Sequence, residues 1–355
     1  MPENDTVIIM RAVMAFLIAG AISFVLTPLV KKFAVKIGAI DIPKDDRRMH
    51  SKPIPRLGGI AVFIGFLIAV MLFVEIDRQL QGILIGALII VLLGVIDDML
   101  PLNAFLKLCV QIIASLIVIW HGTRIEMLSN LSFLSDNTYI HLNPIWSYPI
   151  TLLWIIVITN SVNLIDGLDG LSVGVSSIAS ITLLIIAIIV SEMNIVLIMA
   201  ALAGACIGFL PFNLNPAKIF VGDTGSTFLG FILACISIHG LFKLYTVISF
   251  AVPFLILGLP IFDTLFAIIR RVLHGKSPMS PDRGHVHHRL IDMGFNQKQT
   301  VMILYILSGL LGFAAVVLTS SGEIKALLLI LALILAIVIG AKVYSDRNAS
   351  NGSNK

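Results

Sequence analysis

The stretch Gly82-Ile83-Leu84-Ile85-Gly86-Ala87-Leu88-Ile89-Ile90-Val91-Leu92-Leu93-Gly94-Val95-Ile96-Asp97-Asp98 sets how the rest of this chain is read. From Gly82 to Ile96 there is no charge, and then two carboxylates stand side by side. An apolar run of this length, together with the residues before it, is too long for a core strand and suits a helix that crosses a bilayer. Carboxylates held at the edge of such a helix are costly to keep there, so they point to function before structure.

Working outward, the pattern repeats. The 355 residues are 58% hydrophobic and 12% charged, with a mean hydropathy of +1.03. One soluble core cannot hide that much apolar surface. Apolar runs of about 18 to 25 residues predict an all-α polytopic membrane protein of about eleven transmembrane helices. They lie near residues 7–30, 58–74, 80–96, 104–120, 148–162, 171–190, 195–212, 225–239, 246–269, 300–318 and 324–343. Residues 1–344 read as a single integral membrane domain, followed by a polar C-terminal tail at 345–355. Pro253 and Pro260 should bend or break the helix near 246–269, because each removes a backbone hydrogen bond. A small outer β-hairpin is expected near 124–143, where Ile125, Met127, Tyr139 and Ile140 flank a Ser/Asp/Asn stretch.

Lys and Arg gather in cytoplasmic loops. Eight of them, Lys31, Lys32, Lys36, Lys44, Arg47, Arg48, Lys52 and Arg56, fall in one connection. With that connection inside, the N-terminus lies outside and the C-terminus is cytoplasmic, and 19 of the 24 basic residues fall on the cytoplasmic side. Helix alternation then brings Asp97, Asp98, Asn163, Asp166, Asp169, Asn213 and Asp223 to cytoplasmic helix ends. Helix caps and turns are the plainer reading of such residues. The net charge of +4 follows from the basic loops and does not imply nucleic acid. Cys109, Cys206 and Cys235 sit in apolar spans without the spacing of a disulfide framework or a zinc site.

Mg²⁺ takes hard oxygen ligands and is usually held by one or two carboxylates together with substrate phosphates. Asp97, Asp98 and Asp223 suit that if their helix ends meet. Asp223 lies in Gly222-Asp223-Thr224-Gly225-Ser226, where the following helix offers N–H groups to an anion. In Asn163-x-x-Asp166-Gly167-Leu168-Asp169-Gly170 the first two polar side chains, three apart, share a helix face, fit to hold ribose hydroxyls, a base edge or a phosphate-bound metal. In His285-Val286-His287-His288-Arg289 the imidazoles can bind zinc, serve structure or donate to phosphate; without an accompanying carboxylate or thiolate, phosphate is the favoured partner.

Together these motifs, with His50-Ser51-Lys52-Pro53-Ile54-Pro55-Arg56-Leu57-Gly58-Gly59 and Phe212-Asn213 through Pro216-Ala217-Lys218 to Ser226, resemble the polyprenyl-phosphate N-acetylhexosamine-1-phosphate transferases of glycosyltransferase family 4. The His-x-His-His form is closer to the branch that starts teichoic-acid and related glycans than to the branch acting on muramoyl-pentapeptide. The resemblance implies transfer of GlcNAc-1-phosphate from UDP-GlcNAc to undecaprenyl phosphate, releasing UMP, by a multi-pass enzyme at the cytoplasmic face of a bacterial cell membrane. It implies Mg²⁺, for which Mn²⁺ can substitute, on Asp223 and Asp98, with Asp97 and Asp98 catalytic. Asn163, Asp166 and Asn213 would position the diphosphate, while Gly167, Leu168, Asp169 and Phe220 would line the uridine pocket. Lys52, Arg270, Arg271, His285, His287 and His288 would bind the anionic substrates, and relatives suggest a homodimer. The alternatives are a phospho-MurNAc-pentapeptide transferase and, from another class, an ion-coupled transporter. Transporter sites lie near the midplane between repeats, whereas these acids sit at one surface and no repeat is visible.

Overall fold

A computed structural model gives the fold and describes residues 5–43, 52–129, 139–240, 251–275 and 284–321. Twelve helices lie among the described residues: α1 (Asp5–Ile37), α2 (Gly59–Phe73), α3 (Arg78–Met99), α4 (Ala104–Trp120), α5 (Pro144–Leu164), α6 (Leu171–Ile189), α7 (Met193–Asn213), α8 (Gly222–Gly240), α9 (Ala251–Ile256), α10 (Gly258–Leu273), α11 (Val286–Asp292) and α12 (Gln297–Ser321). Six of them, α1, α3, α5, α6, α7 and α12, are long and apolar enough to cross a membrane, and α2 and α4 are shorter apolar helices. The protein is therefore a mostly helical, multi-pass membrane protein. The expected span at 324–343 and the tail at 345–355 lie outside the described residues.

The expected break near 246–269 occurs at Leu257, between α9 and α10. Pro260 falls in the first turn of α10, where its missing N–H costs that helix no internal hydrogen bond. One boundary moved. The first helix was expected to end near residue 30 but continues to Ile37, carrying Lys31, Lys32 and Lys36 as helix. Basic residues mark where the bilayer ends rather than where the helix ends, and they suit a helix C-terminus.

α7 and α8 form the interior. α7 has 72% of its apolar window buried against 28% for α1, whose Leu17, Val25, Leu29 and Phe33 stay exposed for lipid. Small residues let α1 and α7 touch backbone to backbone, as membrane helices do when packing is the main attraction. A Cβ on Gly204 would stand 2.1 Å from the Phe16 carbonyl oxygen, and one on Gly208 would stand 2.1 Å from that of Gly20. On α8, Phe228 packs edge-on against Phe63 and Phe66 of α2, with ring centroids 5.3 and 5.5 Å away.

At one end of the bundle the expected hairpin forms, from β3 (Met127–Ser129) and β4 (Tyr139–His141), paired antiparallel. Exposed Trp120 and Trp146 sit at this end, where amphipathic rings suit a membrane interface. At the other end an unexpected pairing forms in the basic connection, between β1 (Ile40–Asp41) and β2 (Ile54–Pro55). It docks on the segment before α8: Phe220 N donates to Pro55 O, Gly58 N to Phe220 O and Gly59 N to Val221 O.

Candidate active site

Helix alternation brings the C-terminal ends of α3, α5 and α7 and the N-terminal ends of α2, α4 and α8 to the end of the bundle that carries β1 and β2. α8 stands at the centre, packed on α2, α3, α5 and α6. Asp223, in its first turn, accepts from Asn163 Nδ2 of α5 at 3.2 Å and from Lys107 Nζ of α4 at 3.0 Å. Lys107 also donates to Asp97 Oδ2 at 2.8 Å, so one ammonium joins two carboxylates. The other Asp97 oxygen accepts from Leu102 N at 2.7 Å. Asn163 donates further to Ser226 Oγ at 2.8 Å. Of the two carboxylates on Lys107, Asp223 is the open one, with 31% of its side chain exposed against 8% for Asp97.

Asp98 is built in differently. Its carboxylate accepts from Asp223 N at 3.0 Å, from Thr224 N at 3.0 Å and from Thr224 Oγ1 at 2.6 Å, and the residue is buried. It therefore caps α8 from a neighbouring helix, answering N–H groups that the first turn leaves without partners. Gly222 makes this possible. Its φ is +71°, and a Cβ there would stand 2.3 Å from Asp98 Oδ2. Gly222→Ala should cost about 1–2 kcal/mol from the left-handed backbone alone. By displacing Asp98 it should also lower turnover at least about tenfold; thermal unfolding in detergent and UMP release measure the two effects.

Asp166 accepts from Ser172 Oγ, in the first turn of the next helix. Burial pushes its carboxyl up to about 7 against the Ser172 hydrogen bond, which lowers it, and the charges of Asp223 and Asp98 add to the rise. Arg56 is paired with Asp41 at 3.0 Å. Asp169 Oδ2 accepts from Asn215 Nδ2 at 2.9 Å and from Ala217 N at 3.0 Å. Leu168 is buried in a small core with Leu171, Val301 and Leu304. Asn213 is buried and donates to Ile219 O at 3.0 Å, while its Oδ1 is enclosed and has no hydrogen-bond partner. Phe220 is half-buried beside β2, and Lys52 is exposed just before that strand.

The histidine motif forms α11 and its cap. His287 is buried, and a Cβ on Gly167 would stand 2.5 Å from its Nε2, so α11 lies directly on the Gly167 turn. Burial, helped by neighbouring His288, pushes His287 down to about 3, which leaves a neutral ring at physiological pH. Its contribution there is packing, not positive charge. His285 is buried against Asp263, and His288 is half-buried. Arg270 donates to Gly284 O at 2.8 Å, and Arg271 is buried on α10. Lys107, Asp263 and Ser172 stand outside the sequence motifs, and Arg56, Thr224 and Ser226 stand within them without an assigned role. Lys107 and Asp263 carried a usable signal, each being an ionisable residue inside an expected span.

A divalent cation that prefers oxygen fits the donors present. Asp223 is open, and Asp97 is adjacent, joined to it through Lys107. Among the described residues no three His, Cys, Asp or Glu side chains form a metal-holding group. A cation here would therefore rest on one or two carboxylates and take its other ligands from water and substrate.

The sequence profile of glycosyl transferase family 4 matches residues 80–241, which take in α3 from its third residue, α4 through α8 and every residue of the Asp97–Lys107–Asp223 cluster. A probable undecaprenyl-phosphate N-acetylglucosaminyl 1-phosphate transferase of Bacillus subtilis (strain 168) is 38% identical over 335 residues, 94% of this chain and 92% of the relative. The chain belongs to glycosyl transferase family 4. Other members covering most of it are a decaprenyl-phosphate N-acetylglucosaminephosphotransferase of Mycolicibacterium smegmatis, 32% identical over 91% of this chain and 86% of the relative. An undecaprenyl-phosphate alpha-N-acetylglucosaminyl 1-phosphate transferase of Thermotoga maritima is 30% identical over 80% of this chain and 83% of the relative. Family membership thus extends across the bundle and into the histidine helix, beyond the matched profile.

Proposed function

We propose that this family 4 enzyme transfers N-acetylglucosamine-1-phosphate from UDP-GlcNAc to undecaprenyl phosphate, releases UMP and starts a cell-envelope glycan. The observation that carries this reading is the meeting of Asp97, Lys107, Asn163 and Asp223 at one end of the bundle, in a chain whose relatives are named for that transfer. The distribution of Lys and Arg supports a cytoplasmic placement of this end.

Chemically, an oxygen of the lipid phosphate attacks the β-phosphorus of the donor, and the bond to the α-phosphate oxygen breaks as UMP leaves. A phosphate monoester has a second pKa near 6, so at neutral pH the acceptor is already largely a dianion and needs little help from a base. Asp98 is poorly placed to be one, since three donors engage its oxygens; it positions Asp223. Mg²⁺, held by Asp223 with Asp97 beside it, would neutralise the diphosphate and its leaving group. Lys107 sets the spacing of those two carboxylates and places a positive charge beside the phosphates, while Asn163 orients Asp223. The Gly167 turn and Phe220 receive the nucleotide, and Asn213 adds an acceptor whose capacity the fold leaves unused.

The test is UMP release by purified protein given undecaprenyl phosphate, Mg²⁺ and one of two donors. UDP-GlcNAc should be turned over, and UDP-MurNAc-pentapeptide should be used at least about a hundredfold less well, because α11 lies directly on the nucleotide turn and leaves little room for a peptide arm. Equal or greater release from the pentapeptide donor would move the chain to the other branch. No release from either would refute the transferase reading.

A further inference from the structure

Asp263 has no part in the transfer described above, yet it is buried near the middle of α10 and both its oxygens are engaged by one short segment. Oδ2 lies 2.7 Å from His285 Nδ1, and Oδ1 accepts from Val286 N at 2.7 Å. Two turns further along α10, Arg270 Nη1 donates to Gly284 O, and its guanidinium lies where a side chain on Gly284 would be. Three successive residues are thus fastened to α10. A helix as short as α11, seven residues, has little stability of its own. Its place is set by these attachments and by its packing.

What the attachments deliver is contact with the nucleotide turn. The rings of His285 and His287 stack with an interplanar angle of 10° and centroids 5.7 Å apart, and His287 Nε2 faces Gly167. The line therefore runs from Asp263 through His285 to His287 and on to the turn. Stability alone is a poor reason for such a pair, since a buried carboxylate with a polar partner is commonly no better than two well-packed apolar side chains. The pair adds direction. A carboxylate that accepts from Nδ1–H fixes which way the imidazole faces and leaves Nε2 as the ring's remaining polar atom.

We propose that Asp263 is a positioning residue for the donor: by holding His285 and the first turn of α11, it keeps His287 against Gly167 and the Gly167–Asp169 turn in the shape that receives the nucleotide. This rests on the transferase reading. It assigns His285 and His287 different work, the first as the anchor and the second as the packing contact.

A double-mutant cycle tests it, with kcat and both KM values measured by UMP release for the wild type, Asp263→Ala, His285→Ala and the double variant. Asp263→Ala should raise KM for UDP-GlcNAc about tenfold or more and leave KM for undecaprenyl phosphate within about twofold. In the His285→Ala background the further change should be under about twofold, because Asp263 acts through that ring. Asp263→Asn, which keeps one acceptor oxygen, should fall between wild type and alanine, and it carries the test if the alanine variant does not fold. Loss of kcat with both KM values unchanged, or effects that multiply in the double variant, would overturn the proposal. Calorimetric binding of UMP to wild type and Asp263→Asn needs no turnover. If the wild type transferred nothing, the transferase reading would fail on that result, while equal UMP affinity of the two proteins would separately overturn the role of Asp263.

Discussion

Asp223→Asn should fold, insert in the membrane and release UMP at least about a thousandfold more slowly than the wild type, since it removes the charge at the centre of the site. The change is nearly isosteric, but the surroundings admit only acceptors. One Asp223 oxygen receives the amide of Asn163 and the other receives the ammonium of Lys107. An asparagine has one acceptor oxygen, so its NH₂ group must face one of these donors, either amide against amide or amide against ammonium. The same replacement lowers the pull on a divalent cation, so raising Mg²⁺ should restore only a small part of the rate. Asp98→Asn should be milder in turnover and worse for stability. It leaves one of three buried donors unanswered, at about 1–3 kcal/mol, and lets α8 and Asp223 shift together. The comparison is kcat against Mg²⁺ concentration for both variants, alongside unfolding in detergent. Near-normal turnover by Asp223→Asn at saturating Mg²⁺ would place the chemistry elsewhere in the bundle.

The contrast between these two acids shows which features the sequence made legible. That Asp97, Asp98, Asn163 and Asp223 share one end of the bundle follows from span length and alternation, because each stands where an apolar run stops. Which of them is open and which is a cap does not follow. It depends on how closely α3 approaches α8, and that is set by Gly94, where a Cβ would stand 2.4 Å from the Cα of Thr224. Asp169 is a similar case: its partners within the fold, Asn215 and Ala217, lie far along the chain, so no local pattern reveals them. The β1–β2 pairing was illegible for another reason, since strands of two residues carry no periodicity. The break at Leu257 was legible, because Pro253 and Pro260 act through local covalent geometry alone. Lys107 was legible in principle. Near the end of its helix it was counted among the charges that orient the chain, although a cation inside an apolar span asks for a partner in its own right.

Lys107→Met should therefore be the most informative change at a position that the acidic motifs alone do not reveal. Methionine keeps the length and apolar stem of lysine but removes the ammonium that now joins Asp97 to Asp223. Two consequences pull in opposite directions. The carboxylates lose the charge that balances them, so a divalent cation should bind more readily, and half-saturating Mg²⁺ should fall about tenfold, as expected when a like charge is taken from beside the ion. The phosphates of donor and acceptor lose a positive neighbour while charge moves to the leaving UMP, so kcat should drop about a hundredfold. Lys107→Arg should recover only part of the rate, since a planar guanidinium cannot replace a compact ammonium between two carboxylates at 2.8 and 3.0 Å. Tighter Mg²⁺ use with slower turnover separates this account from simple unfolding, which would lower the active fraction and leave the Mg²⁺ requirement unchanged. If Lys107→Met kept kcat within about twofold of wild type, the lysine would be only a counter-ion for the fold, and the electrostatic part of the mechanism would rest on other residues.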